Sequence, residues 1–348
     1  MTVPTRIISN MDRTIAACYN GGGINYVVET PNGVIYILFI SSINNDPSFI
    51  KSIDGGYTWN SPVALKACTG TQISVWYDRW SGINADLIHV AYSDSGIDDV
   101  FYRNIDTANA DALSTEYTIF AGATTATGGS LSISRMRGGN IIVCGCIDAG
   151  DEEVNRKSTN VGVNWTTIAN GYEDASAADQ CIVMPGWGAD NQDAMIFYYD
   201  RSATEISVKY YDDSGDIWSE TSIATTISIP DHTSVLASLS HFTASVDLTN
   251  SQNVLVFWTA IDTENADLRC FKVTQSAQTE TASNVVLNSI SDQAFCAIAI
   301  SSSDIWYVFY VGNSTTAEIY NTVVNIYYKT SLDAGANWSS EIKIEPNY

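Results

Sequence analysis

Apolar and polar positions along the chain fall into short bursts with no helical period. Runs such as Val34 to Ile40, Ile141 to Ile147, Ala194 to Tyr199 and Ile305 to Val311 are almost continuously apolar, and clusters of Gly, Asn, Asp and Ser separate them from their neighbours. Such runs, bounded by turn residues, predict strands. Around each the order is constant: an apolar strand, a polar turn, the very apolar strand, a second turn, and an alternating strand. A short fourth strand closes the unit, as in Pro62-Val63-Ala64-Leu65 and Glu341-Ile342-Lys343-Ile344.

The end of the alternating strand carries a repeated motif. Ser52-Ile53-Asp54-Gly55-Gly56-Tyr57-Thr58-Trp59 is echoed by Ser158-Thr159-Asn160-Val161-Gly162-Val163-Asn164-Trp165 and again by Ser331-Leu332-Asp333-Ala334-Gly335-Ala336-Asn337-Trp338. A weaker copy, Asp213-Ser214-Gly215-Asp216-Ile217-Trp218, keeps the acid, the Gly and the Trp. The markers Asp54, Asn160, Asp213 and Asp333 are 106, 53 and 120 residues apart, which one period of 53 to 60 residues fits if each long gap holds a unit without a clear box. A period of that size signals a repeat architecture.

Four antiparallel strands per repeat, arranged radially, make a propeller blade, and the most apolar strand belongs near the middle of its sheet. The reading is all-β: a single six-bladed β-propeller over residues 1–348, with blades at about 10–66, 67–122, 123–172, 173–226, 227–288 and 289–348. Arg6-Ile7-Ile8-Ser9 is read as an added strand on the last blade, because closing the ring removes exposed sheet edges. The box is placed between the third and fourth strands, where each residue has a mechanical task. Asp or Asn accepts backbone N–H bonds, Gly supplies positive φ, and Trp buries its ring between sheets.

These boxes resemble the Asp-box, or BNR repeat, of the sialidase-like propellers, and with four copies the resemblance spans most of the chain. It implies the propeller fold, with the boxes on the periphery away from the active centre. Sialidases of that family hold a substrate carboxylate with three arginines, the first in an Arg-Ile-Pro motif, and use a Tyr–Glu nucleophile with an Asp acid/base. Guanidinium forks suit a carboxylate. Here Thr5-Arg6-Ile7-Ile8 lacks the Pro, and after Arg201 the only arginine is Arg269. The expected late arginines are missing.

Charge argues the same way. The chain has 39 acidic and 16 basic residues, a net charge of −23, and no basic patch, which excludes nucleic acid as a partner. Turns between second and third strands share one face with the connections between blades, and the predicted loops there are acidic. That face should repel a sialic acid rather than capture it. Among its loops, Asp94, Asp98 and Asp99 offer clustered hard oxygen ligands as a candidate Ca²⁺ site. Asp148, Asp151 and Glu152 form a second acidic turn, read as solvated or ligand-binding. Trp80 and Trp187 occupy matching loops two blades apart, as sugar platforms or as rings folded over a blade edge.

The seven cysteines lie mostly in strand-like runs and are read as reduced. The opening MTVPTRIISN lacks a signal-peptide pattern, and no apolar run reaches the roughly 18 residues of a membrane helix. The expectation is a soluble, non-catalytic propeller without an assigned cofactor. It would bind glycans or neighbouring structural proteins, such as those of a phage tail or capsid surface. An exo-acting glycoside hydrolase of altered specificity is the alternative; it needs two carboxylates some 5 to 9 Å apart across a pocket.

Overall fold

The computed structural model describes residues 26–41, 43–77, 86–122, 130–147, 152–168, 180–200, 205–224, 242–260, 266–281, 293–312 and 325–344. Within them the chain is all-β: six antiparallel sheets arranged as the blades of a ring, each formed by consecutive strands. Blade one is β1 (Val27–Glu29), β2 (Ile35–Ile40), β3 (Pro47–Ser52) and β4 (Val63–Ala64). Blade two is β5 (Gly70–Tyr77), β6 (Leu87–Asp94), β7 (Asp99–Asp106) and an outer strand split into β8 (Ala112–Leu113) and β9 (Tyr117–Phe120). Both pieces pair with β7, at Ile105↔Leu113 and at Val100↔Phe120.

Blade three is β10 (Leu131–Arg135), β11 (Ile141–Ile147), β12 (Glu152–Ser158) and β13 (Thr166–Thr167). Blade four is β14 (Gln180–Pro185), β15 (Ala194–Asp200), β16 (Glu205–Asp212) and β17 (Ile217–Ala224). Blade five is β18 (Phe242–Asp247), β19 (Gln252–Ala260), β20 (Ala266–Val273) and β21 (Gln278–Glu280). Blade six is β22 (Gln293–Ile300), β23 (Trp306–Gly312), β24 (Asn325–Ser331) and β25 (Ile342–Lys343). The strand expected at Arg6–Ser9 lies outside the described residues. Among the described residues no helix is long and apolar enough to cross a membrane.

The apolar runs have a simple cause. A blade between two others packs on both faces, so successive side chains, which point to opposite faces, are both buried, as from Ala194 to Tyr199; in blades one and six burial alternates along β2 and β23. On β14, Val183 joins the cluster shared with blade three, whereas Ile182 and Met184 join the one shared with blade five. Among the described residues five such clusters lie between consecutive blades, from one–two to five–six.

The innermost strand of each blade is a sheet edge with N–H groups that no partner strand can take. Buried serines of the preceding blade accept several of them. Ile133 N–H donates to Ser74 Oγ at 2.9 Å, Val183 N–H to Ser132 Oγ at 3.1 Å, and Cys181 N–H to Ser130 Oγ at 2.5 Å. Each bond contributes roughly 0.5–1.5 kcal/mol, and more is lost if a buried N–H is left unsatisfied. These links also fix the spacing of the strands that line the centre of the ring.

Candidate functional site

The first strands of all six blades enclose a central cavity of about 640 Å³. Val75 and Trp76 of β5, Ile182 and Met184 of β14, and Ala244 and Val246 of β18 supply much of its apolar wall. The cavity extends to turns that join first and second strands: Leu248 and Thr249 in blade five, and Ser301, Ser302 and Asp304 in blade six. There Asp304 has a φ of +58°, and its Oδ1 accepts the Thr249 hydroxyl at 2.6 Å, tying the two blades together. Glu29, at the end of β1, adds a second carboxylate to the wall. No Lys, Arg or His lies among the described lining residues.

In a four-stranded antiparallel blade the turns between strands one and two share an end with those between strands three and four. The cavity therefore opens toward the box-turn end. The acidic loops of the sequence point instead to the other end, where most connecting loops lie outside the described residues. The wall residues give no individual signal, since a Val, Ile or Ser on an innermost strand looks like any core residue.

The three full boxes fold alike. The Ser hydroxyl donates to the Asp or Asn: Ser52 to Asp54 at 2.7 Å, Ser158 to Asn160 at 3.0 Å, and Ser331 to Asp333 at 2.8 Å. The same Ser oxygen accepts the glycine N–H of Gly56, Gly162 or Gly335 at 2.8 Å. Oδ1 of Asp54, Asn160 and Asp333 then accepts the N–H of Thr58, Asn164 and Asn337, again at 2.8 Å. All three glycines have positive φ, between +82° and +92°. Bonds from the Thr58 hydroxyl and N–H hold Asp54 down at about 2, and Asn337 lowers Asp333 in the same way. Trp59 donates its indole N–H to Gly56 O at 3.1 Å, whereas the Trp165 ring packs edge-on to Tyr102, and Trp338 lies against Trp306.

The weaker copy is corrected by the structure. Asp212, not Asp213, caps the turn, accepting Ser214 N–H at 3.0 Å and Gly215 N–H at 3.1 Å. Asp213 instead pairs with Lys157 of blade three at 2.6 Å. Gly215 has no positive φ in this turn; Asp216 takes that conformation, at +49°. Trp218 sits on β17 opposite Tyr211, with ring centroids 4.7 Å apart.

Two of the three candidate calcium ligands, which face each other across β6 and β7, are engaged by neighbouring groups. Asp94 Oδ1 accepts Gly96 N–H at 3.0 Å and Thr69 N–H at 3.3 Å, while its Oδ2 faces Lys66 at 3.5 Å. Asp99 accepts Gly122 N–H at 2.9 Å, and Asp98 is a turn residue with φ +58°. Among the described residues no group of three or more metal-ligating side chains converges. Trp80, Asp148 and Asp151 lie outside the described residues, and Glu152 begins β12.

Trp187 is half-buried in the turn after β14, beneath the Arg137 guanidinium, whose carbon is 5.1 Å from the ring centroid. Arg137 also donates to Gly186 O and Gly188 O, each at 2.8 Å, and Trp187 N–H donates to Gln275 of blade five at 3.2 Å. The ring packs against the cluster between blades four and five. It is folded over the blade edge and joins three blades.

The sequence matches no protein-family model and no curated protein. Solved structures resemble the fold across nearly the whole chain. An ulvan lyase of polysaccharide lyase family PL25 is 10% identical, covers 98% of this chain and 87% of its own, and has a TM-score of 0.59. The Aleuria aurantia lectin in complex with α-methyl-L-fucoside is 12% identical, with 95% and 96% covered and a TM-score of 0.53. The SapL1 lectin in complex with α-methyl fucoside is 10% identical, with 96% and 100% covered and a TM-score of 0.53. At these identities the likeness is one of fold.

Proposed function

We propose that this protein is a non-catalytic, sialidase-like propeller that recognises glycans, with a neutral sugar held in the central cavity. The observation that carries the reading is the composition of the cavity wall. Aliphatic residues and Trp76 offer surface to the apolar face of a sugar ring, hydroxyls and two carboxylates offer hydrogen bonds, and no basic side chain among the described lining residues would hold an acidic substituent. The lyase and lectin likenesses support a carbohydrate ligand on this fold without naming it.

The test is a broad glycan array, run with calcium and with a chelator, on the wild type and on Leu248→Trp. Leu248 lines the cavity but is 53% exposed, so a larger ring there narrows the entrance without disturbing the core. Selective, saturable binding of neutral glycans by the wild type, lost in Leu248→Trp with unchanged thermal stability, supports the reading. No binding, or equal binding by both proteins, overturns it.

One observation favours a second reading, a glycoside hydrolase: Glu29 and Asp304 are two carboxylates lining one cavity. Hydrolysis of neutral glycosides by the wild type, abolished in Glu29→Gln or Asp304→Asn, is the result that reading requires.

A further inference from the structure

Cys144 on the second strand of blade three and Cys181 on the first strand of blade four meet across the blade interface, their sulfurs 2.9 Å apart. Both residues are fully buried, in the cluster shared by these blades. A third group completes the arrangement. Ser130 Oγ lies 3.2 Å from Cys181 Sγ and accepts the Cys181 N–H at 2.5 Å, so its hydroxyl proton is directed at the sulfur or at Cys181 O, 3.3 Å away.

We propose that Cys144 and Cys181 form an inter-blade disulfide when the chain folds in the presence of a small-molecule disulfide such as oxidised glutathione. A disulfide bond is roughly 2.05 Å long, so the sulfurs need to approach by only about 0.9 Å. The chemistry is two exchanges. The Cys181 thiolate attacks one sulfur of the small disulfide, forming a mixed disulfide and releasing one small thiolate. The Cys144 thiolate then attacks the Cys181 sulfur and expels the second. Two protein thiols are oxidised by two electrons in all, one small disulfide is reduced to two thiols, and the two cysteine protons pass to them.

Full burial sets the timing. Oxidant reaches both sulfurs while blade four is still docking on blade three, and the closed interface then shields the bond. The link would close the chain from 144 to 181 into a loop that includes the third-blade box, and would anchor β14. Ile182 and Met184 of that strand line the central cavity, so the cross-link stiffens one wall of it.

The full chain is unfolded in reductant and refolded in glutathione redox buffer or in dithiothreitol, then unfolded in acid and denaturant with N-ethylmaleimide and mapped by mass spectrometry. The expected result is two fewer maleimides after refolding with oxidant, a linked Cys144–Cys181 peptide, and a thermal midpoint several degrees higher. Cys144→Ala and Cys181→Ala should each take up equal label in both buffers. Equal labelling of the wild type in both buffers overturns the proposal, and so does a link mapping elsewhere, for example to Cys270 and Cys296 in the cluster between blades five and six. The peptide map of the wild type is decisive by itself, so the test does not depend on either variant folding.

Discussion

Gly162 in the third-blade box lies so close to Tyr102 of blade two that a β-carbon there would fall 2.0 Å from Tyr102 Cε1. The ring cannot easily move away. Its hydroxyl hydrogen-bonds to His89 Nδ1 at 2.7 Å, and its edge packs on Trp165 with centroids 5.5 Å apart. Gly335 has the same relationship to Trp306 and to Thr281 of blade five, at 2.8 and 2.6 Å. The box turns of blades three and six are thus docking surfaces for the preceding blade as well as local hairpins.

Gly162→Ala should therefore cost about 3 kcal/mol or more, from overpacking added to the strain of φ +83°. Gly56 is the internal control. Its φ is +92°, but the nearest atom to an added β-carbon is 3.8 Å away and belongs to its own Trp59. Gly56→Ala should show backbone strain alone, about 1 kcal/mol. Urea unfolding of the two variants measures the difference; equal losses would remove the docking argument.

Asp213 and Asp212 stand side by side and do different work, which a double-mutant cycle can separate. Lys157 Nζ contacts Asp213 at 2.6 Å and the Tyr211 hydroxyl at 3.0 Å, with both charged side chains mostly covered. Coupling between Lys157→Met and Asp213→Asn should reach about 1–2 kcal/mol and shrink in high salt. The cycle with Asp212→Asn should give coupling near zero, since Asp212 caps its own turn. Equal coupling in both cycles would contradict the assignment.

Asp54 links the boxes to acid stability. Its folded value, about 2, lies below its ordinary 3.8 because Thr58 and Ser52 donate to the carboxylate. A depressed carboxylate contributes stability that is fully present above its unfolded value and is lost as pH falls through the folded one. The window is thus from about pH 4 down to about pH 2, and Asp333 acts in the same direction. Asn160 already fills the equivalent place in blade three without titrating. Asp54→Asn should fold normally at neutral pH and lose stability less steeply across that window, as followed by acid titration of tryptophan fluorescence. An unchanged slope would show that the box carboxylate is irrelevant to acid unfolding.

What can be read from the sequence tracks how local the interactions are. Ser52, Asp54, Gly56 and Trp59 bond within eight residues, so their spacing declares the turn. The false copy at Asp213 carries its own warning: the position two before the acid is Tyr211, where every true box has a serine. Strand order is legible because second strands read as nearly continuous apolar runs, whether buried on both faces, as from Ala194 to Tyr199, or buried and half-buried in turn, as from Ile35 to Ile40. The cavity is not, because Val75, Ile182 and Val246 come together only when the ring closes, across some fifty residues or more each time. The contact of Gly162 with Tyr102, between blades, leaves no sequence signal either.

If the central cavity holds a glycan, its charge should decide which glycans are accepted. Glu29 and Asp304 line a site with no basic residue among its described wall, in a chain of net charge −23, so an acidic sugar meets an unfavourable field from both the wall and the whole molecule. If the cavity is the ligand site, Glu29→Lys combined with Asp304→Asn should raise retention of sialylated or uronic-acid glycans at least about tenfold at low salt. Neutral glycans should change far less. The gain should fall at high ionic strength, because Glu29 is exposed and its replacement would act partly through solvent. The same array, read at two salt concentrations, makes the comparison. Unchanged retention of acidic glycans would place recognition away from the cavity, whereas a salt-sensitive gain would identify its two carboxylates as the selectivity filter.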